Sequence, residues 1–129
     1  MANELILICE DNDKNRKLAR RVLEKAGYRT HEVVTGEEAI KAARETPPDL
    51  ILLDYLLPGI DGIETLKRIR ADKSIRRMPI VAITASAMPE EMARMGQAGF
   101  DGFMTKPINL KVLLGTIESL LARAKAKAT

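Results

Sequence analysis

The stretch Pro47-Pro48-Asp49-Leu50-Ile51-Leu52-Leu53-Asp54 decides the fold. Pro47 disfavours helical backbone at Thr46 and neither proline donates a hydrogen bond, so a helix must end before the pair. Leu50 to Leu53 is an unbroken apolar run, which suits a strand covered on both faces, and Asp54 stands at its carboxyl end. Leu5-Ile6-Leu7-Ile8-Cys9 is a second such run, and it too ends on acids, Glu10 and Asp11. Helical spacing lies between the two. Leu18, Val22 and Ala26 mark one side of a first helix, with Gly27 placed to stop it. Thr30 to Val34 is a weaker, β-branched second strand. Thr35-Gly36-Glu37-Glu38 reads as a capping box opening a second helix, whose buried face is Ala39, Ile40 and Ala43.

The same alternation continues downstream. Pro58-Gly59 makes a turn, Asp61 with Glu64 caps a third helix, and Ile63, Leu66 and Ile69 form its inner stripe. Ile80 to Ile83 is a fourth strand ending at Thr84. Pro89 fits the first turn of a fourth helix that Gly96 to Gly99 terminates. Gly102 to Thr105 is a short fifth strand. Asn109 caps a last helix carrying Leu110, Leu113, Leu114, Ile117, Leu120 and Leu121, with residues 122–129 expected to fray. Five strand–helix repeats in so short a chain imply an α/β fold, a doubly wound five-stranded parallel sheet with helices on both faces. Such sheets bind ligands beyond the carboxyl ends of their strands, and in the order 2-1-3-4-5 the crevice lies between strands one and three.

The length of 129 residues is that of one domain, and 46% hydrophobic with 30% charged residues can build one core under a soluble surface. No apolar run approaches the roughly 20 residues of a membrane helix, and Leu5 to Cys9 is too short for a secretory signal. One cysteine allows no internal disulfide, which fits the cytoplasm, and one histidine, His31, excludes a multi-histidine metal site. The net charge of +3 is matched by Arg123, Lys125 and Lys127 near the carboxyl terminus, so the rest of the domain is neutral. With only 3% aromatic residues and no recognition-helix motif, nucleic acid is not expected as a partner.

The chemistry lies just after strand one and at the end of strand three. Glu10, Asp11 and Asp54 converge on one crevice, where three carboxylates repel each other more strongly as water is excluded. A divalent cation with oxygen ligands removes that conflict, and carboxylates plus waters suit Mg2+. Thr84 adds a hydroxyl at the end of strand four, and Lys106 a cation just past strand five. Nucleophilic carboxylate, metal, hydroxyl and ammonium together can receive and hold a phosphoryl group.

Five segments resemble the receiver domain of bacterial two-component response regulators: Cys9-Glu10-Asp11-Asn12, Pro48 to Asp54, Leu57-Pro58-Gly59-Ile60-Asp61-Gly62, Ile83-Thr84-Ala85 and Thr105-Lys106-Pro107-Ile108. The resemblance runs from about residue 4 to 121, and Ala85-Ser86-Ala87-Met88 is most similar to single-domain receivers of the DivK kind. It implies a flavodoxin-like, CheY-like receiver fold over residues 1–123, followed by a basic tail at 124–129. It implies Asp54 as phosphoacceptor, supplied by a phosphohistidine on a sensor histidine kinase or phosphotransfer protein. Asp11 and Asp54 would ligate Mg2+ directly, Glu10 mainly through water, and the Leu56 carbonyl would complete the set. Lys106 would pair with the phosphoryl oxygens, Thr84 would swing towards them, Phe103 would turn inward behind it, and Lys106–Pro107 would be cis. The readout would be a downstream protein, met through the fourth helix, fifth strand and fifth helix by a monomer or weak homodimer. Beyond its own phosphorylation and slow dephosphorylation the domain would not be an enzyme.

Two departures concern tuning. Phe103 stands where the family often has tyrosine, so no hydroxyl is available there. Leu56 and Ser86 border the acyl phosphate in this family; Leu56 cannot orient a water and Ser86 does so only weakly, which predicts slow self-hydrolysis. A phosphatase using Asp54 in the haloacid-dehalogenase manner would need a second aspartate at position 56, where leucine stands. A flavin carrier would need a hydroxyl- and glycine-rich loop after strand one, where Glu10-Asp11-Asn12-Asp13 repels phosphate. Of the remaining residues, Cys9 reads as a small core hydrophobe and His31 as an edge residue. Lys14, Arg16, Lys17, Arg20, Arg21 and Lys25 read as a solvated basic face on the first helix, or as a docking face for an acidic partner. Met88, Met92 and Met95 read as one core-facing or partner-facing stripe.

Overall fold

The computed structural model describes residues 3–75, 77–85 and 88–128. Among them five strands alternate with five helices: β1 (Leu5–Cys9), α1 (Asp13–Lys25), β2 (Arg29–Val33), α2 (Gly36–Glu45), β3 (Leu50–Asp54), α3 (Gly62–Ala71), β4 (Ile80–Thr84), α4 (Pro89–Ala98), β5 (Gly102–Thr105) and α5 (Leu110–Ala128). The strands form one parallel sheet in the order β2-β1-β3-β4-β5, as the alternation implies.

Side chains alternate across a strand, so each apolar run feeds two cores at once. Leu7, Cys9, Ile51, Leu53, Ile80 and Ala82 face α2, α3 and α4, meeting Ala39, Ile40, Ala43, Leu66, Ile69 and Met95. Ile6, Ile8, Leu50, Leu52, Val81 and Ile83 face α1 and α5, meeting Ala19, Leu23, Leu113, Ile117 and Leu121. The helix starts obey local chemistry. Thr35 and Glu38 complete the capping box, Asp61 accepts from the Glu64 amide, and Asn109 accepts from the Lys111 and Val112 amides. Gly99, at φ +107°, takes the left-handed conformation that ends α4, so that helix runs through Gly96.

Four expectations need correction. The buried stripe of α1 is Ala19 and Leu23, with Val22 half-buried, whereas Leu18 is 42% exposed and Ala26 lies on the surface. Strand β2 begins at Arg29, one residue early, because Glu4 accepts the Arg29 amide. The methionine stripe of α4 splits, with Met95 buried and Met88 in solvent. Residues 122–128 continue α5 instead of fraying, and Lys125 donates to Glu4 Oε2 at 2.7 Å, fastening that helix to the chain start.

Register places the site. Cys9 pairs with Leu53, so Glu10 and Asp54 are level at the sheet's carboxyl edge. Asp54 pairs with Ile83 and Thr84 with Thr105, which puts Thr84 and then Lys106 one step further out on each neighbouring strand. Among the described residues no helix is long and apolar enough to cross a membrane.

Candidate functional site

The β3–α3 turn fixes Asp54. Tyr55 donates its amide to the Ile83 carbonyl at 2.8 Å, and its carbonyl accepts from the Gly62 amide at 2.9 Å. A Cβ on Gly62 would lie 2.9 Å from the Asp54 carbonyl oxygen and 2.9 Å from Tyr55 Cα, so only glycine lets α3 begin this close. Asp54 is thereby held buried, its Oδ1 accepting from the Leu56 amide at 3.1 Å and its Oδ2 from Lys106 Nζ at 3.0 Å.

On the other side of the crevice Glu10 is also buried. Its amide donates to the Val33 carbonyl at 3.1 Å, and its Oε2 accepts from the Asn12 amide at 3.2 Å. Glu10 Oε1 has no hydrogen-bond partner; Lys106 Nζ reaches it at 3.0 Å as an ion pair. Burial, and then the nearness of Asp54, push the Glu10 carboxyl above its ordinary pKa. For Lys106 burial works against the charge, but the contacts with Asp54 and Glu10 outweigh it and hold the ammonium above its usual value. One cation therefore balances two buried acids, while Asp11 adds a third from the exposed rim.

Oxygen atoms of Glu10, Asp11 and Asp54 all lie within 4.8 Å of one another. An all-carboxylate donor set of this compactness, two of its acids buried and sharing a single ammonium, fits a hard divalent cation such as Mg2+. The residues present fit the ion that the sequence implies.

Of the residues singled out in the sequence, Glu10, Asp11, Asp54 and Lys106 come together directly. Thr84 is buried at the β4 end, and its carbonyl accepts the Lys106 amide at 2.8 Å. Phe103 lies on β5, 36% exposed, and Lys106–Pro107 is cis. Leu56, two residues beyond Asp54, is 66% exposed. Ser86 lies outside the described residues. Cys9 is core: its Sγ donates to the Thr35 carbonyl at 3.3 Å, and burial raises its pKa well above the ordinary thiol range. His31 is exposed on the edge strand. Sequence reasoning missed Arg16. It belongs to no solvated face: its side chain is only 12% exposed, and Nη1 donates to the Glu10 carbonyl at 3.0 Å.

Over residues 6–118 the chain matches the response regulator receiver domain. It is 40% identical over 119 residues to the polar-differentiation response regulator DivK of Brucella ovis, covering 92% of this chain and 97% of that protein. Among solved structures it is similar to a putative response regulator from Chloroflexus aurantiacus, with TM-score 0.89, 31% identity, and coverage of 93% of this chain and 98% of that one. It is also similar to the receiver domain of a Pseudomonas aeruginosa sensor histidine kinase that holds a magnesium ion in its active site cleft. There the TM-score is 0.86 and the identity 32%, over 93% of this chain and 98% of that one. The chain belongs to the response regulator receiver domain family, whose members work in two-component signalling.

Proposed function

We propose that this chain acts as a single-domain response regulator in the cytoplasm, taking a phosphoryl group from phosphohistidine onto Asp54 with the help of Mg2+. The observation that carries the reading is the meeting of three carboxylates within 4.8 Å beside a lysine ammonium 3.0 Å from Asp54. In the step, an Asp54 carboxylate oxygen attacks phosphorus as the P–N bond to the donor imidazole breaks. The nitrogen leaves with the bonding pair.

This chain's residues prepare each part. The Leu56 amide on Oδ1 and Lys106 on Oδ2 orient the Asp54 carboxylate. Lys106 then follows the negative charge onto the new phosphoryl oxygens, and the Thr84 hydroxyl donates to one of them. Glu10, Asp11, Asp54 and the Leu56 carbonyl are the residues to hold Mg2+, which offsets the charge gathered by the acids and the incoming phosphoryl group. With Thr84 drawn inward, Phe103 gains room to leave solvent, and the α4–β5–α5 surface changes its preference for a partner. The phosphoryl group shifts a two-state population by its differential contacts in the two states.

The test uses phosphoramidate, a small donor with the same P–N bond as phosphohistidine. Intact-mass spectrometry of the wild type should show a Mg2+-dependent gain of about 80 Da, one phosphoryl group, absent in Asp54→Asn. No gain in wild type at saturating Mg2+, with a known receiver modified in parallel, overturns the reading.

A further inference from the structure

Arg16 sits one turn into α1 and joins three segments. Its Nη1 donates to the Glu10 carbonyl at 3.0 Å, its Nε to Glu32 Oε1 at 3.2 Å, and its Nη2 pairs with Asp13. Glu32 lies on β2 opposite Ile8, so the guanidinium ties β2 to the start of α1 at the point where the chain leaves β1. The Glu10 backbone is held on both sides, its amide donating to the Val33 carbonyl and its carbonyl, in the peptide that leads to Asp11, accepting from Arg16. Asp11 is the next residue. Among the described residues no hydrogen bond or ion pair holds its carboxylate, so its place in the acidic cluster follows from the backbone that delivers it.

We propose that Arg16 is the positioning residue of the cation site, fixing the Glu10 carbonyl so that Asp11 presents its carboxylate within reach of Glu10 and Asp54. This deepens the function proposed above and rests on it. A planar guanidinium is suited to the task because its fork meets a carbonyl and two carboxylates at once, a geometry that a lysine ammonium on a flexible stem does not reproduce. Outer residues that orient metal ligands typically change affinity by about 10- to 100-fold when removed.

Electrostatics gives the proposal a sign that can be tested. Arg16 is a cation near an acidic cluster. By Coulomb's law alone its removal should strengthen binding of a second cation. A positioning role requires the opposite.

The experiment titrates Mg2+ into the full chain by calorimetry for wild type, Arg16→Ala, Arg16→Lys and Arg20→Ala. Arg20 is the control because it also pairs with Glu32, at 3.0 Å, while among the described residues the hydrogen bond to the Glu10 carbonyl comes from Arg16. Arg16→Ala and Arg16→Lys should each bind Mg2+ about 10-fold more weakly, with Arg20→Ala within about twofold of wild type. At saturating Mg2+ the phosphorylation rate of Arg16→Ala should return towards the wild-type value, a recovery that a merely misfolded variant would not show. Should Arg16→Ala fail to fold, Arg16→Lys and Glu32→Gln carry the same comparison. Binding at the wild-type level, or tighter, in folded Arg16 variants overturns the proposal while leaving the phosphoacceptor reading intact. A wild type that binds no Mg2+ overturns both.

Discussion

Lys106 Nζ stands 3.0 Å from Asp54 Oδ2, reaching it across the end of β4, and the same atom lies 3.0 Å from Glu10 Oε1. Without a metal ion, this ammonium is the cation among the described residues that separates the two buried acids. Lys106→Met should therefore destabilise the protein in chelator by about 1–3 kcal/mol, because it leaves buried carboxylates facing one another uncompensated. Added Mg2+ should recover part of that loss by supplying another cation. Urea unfolding with and without Mg2+ checks this; equal losses in both conditions would show that the lysine contributes by packing alone.

Gly62→Ala should cost about 1–3 kcal/mol, since the added methyl meets backbone on two sides and neither the Asp54 carbonyl nor Tyr55 can give way cheaply. The same crowding pushes on the Asp54 carbonyl, so Asp54 phosphorylation should slow as well. Denaturant midpoints and phosphorylation rates measured on one preparation read both effects.

The tie between Glu4 and Lys125 sets a pH dependence remote from the site. The hydrogen bond from Lys125, and then the Asn3 amide, lower the Glu4 pKa from its ordinary 4.5 to about 2. For an acid with a depressed folded pKa, the stabilisation is fully present above about 4.5 and disappears as pH falls through about 2. Glu4→Gln should be less stable than wild type near neutral pH, and the gap should close between those limits. A gap that stays constant with pH would assign the effect to something other than this carboxylate.

Much of the architecture was legible in sequence, for reasons of range. Apolar runs with acids at their ends give strand identity, both cores and the carboxylates of the site, because each signal lies within a few residues of the feature it marks. The face of α1 was harder. Leu18-Val22-Ala26 and Ala19-Leu23 are equally regular series one residue apart, and only docking on the sheet decides between them. Arg16 was hidden because its partner Glu32 is 16 positions away on β2. The continuation of α5 was hidden because Glu4, which fastens Lys125, is 121 positions away.

Leu56, two residues beyond Asp54, is apolar and exposed, so under the function proposed above it offers no polar group to hold a water against an Asp54 acyl phosphate. Leu56→Asn should shorten the lifetime of the phosphorylated protein several-fold with little change in stability. Decay followed by mass spectrometry after removal of the donor checks this, and an unchanged lifetime would show that access of water is not limited at position 56.

The most direct test locates the phosphoryl group. After treatment with acetyl phosphate and Mg2+, borohydride reduces an aspartyl phosphate to homoserine, and peptide sequencing by mass spectrometry finds the residue converted. Conversion is expected at Asp54 and at no other acid, with none when Mg2+ is withheld. Conversion at Glu10, at Asp11 or at an acid outside the crevice would contradict Asp54 as the phosphoacceptor.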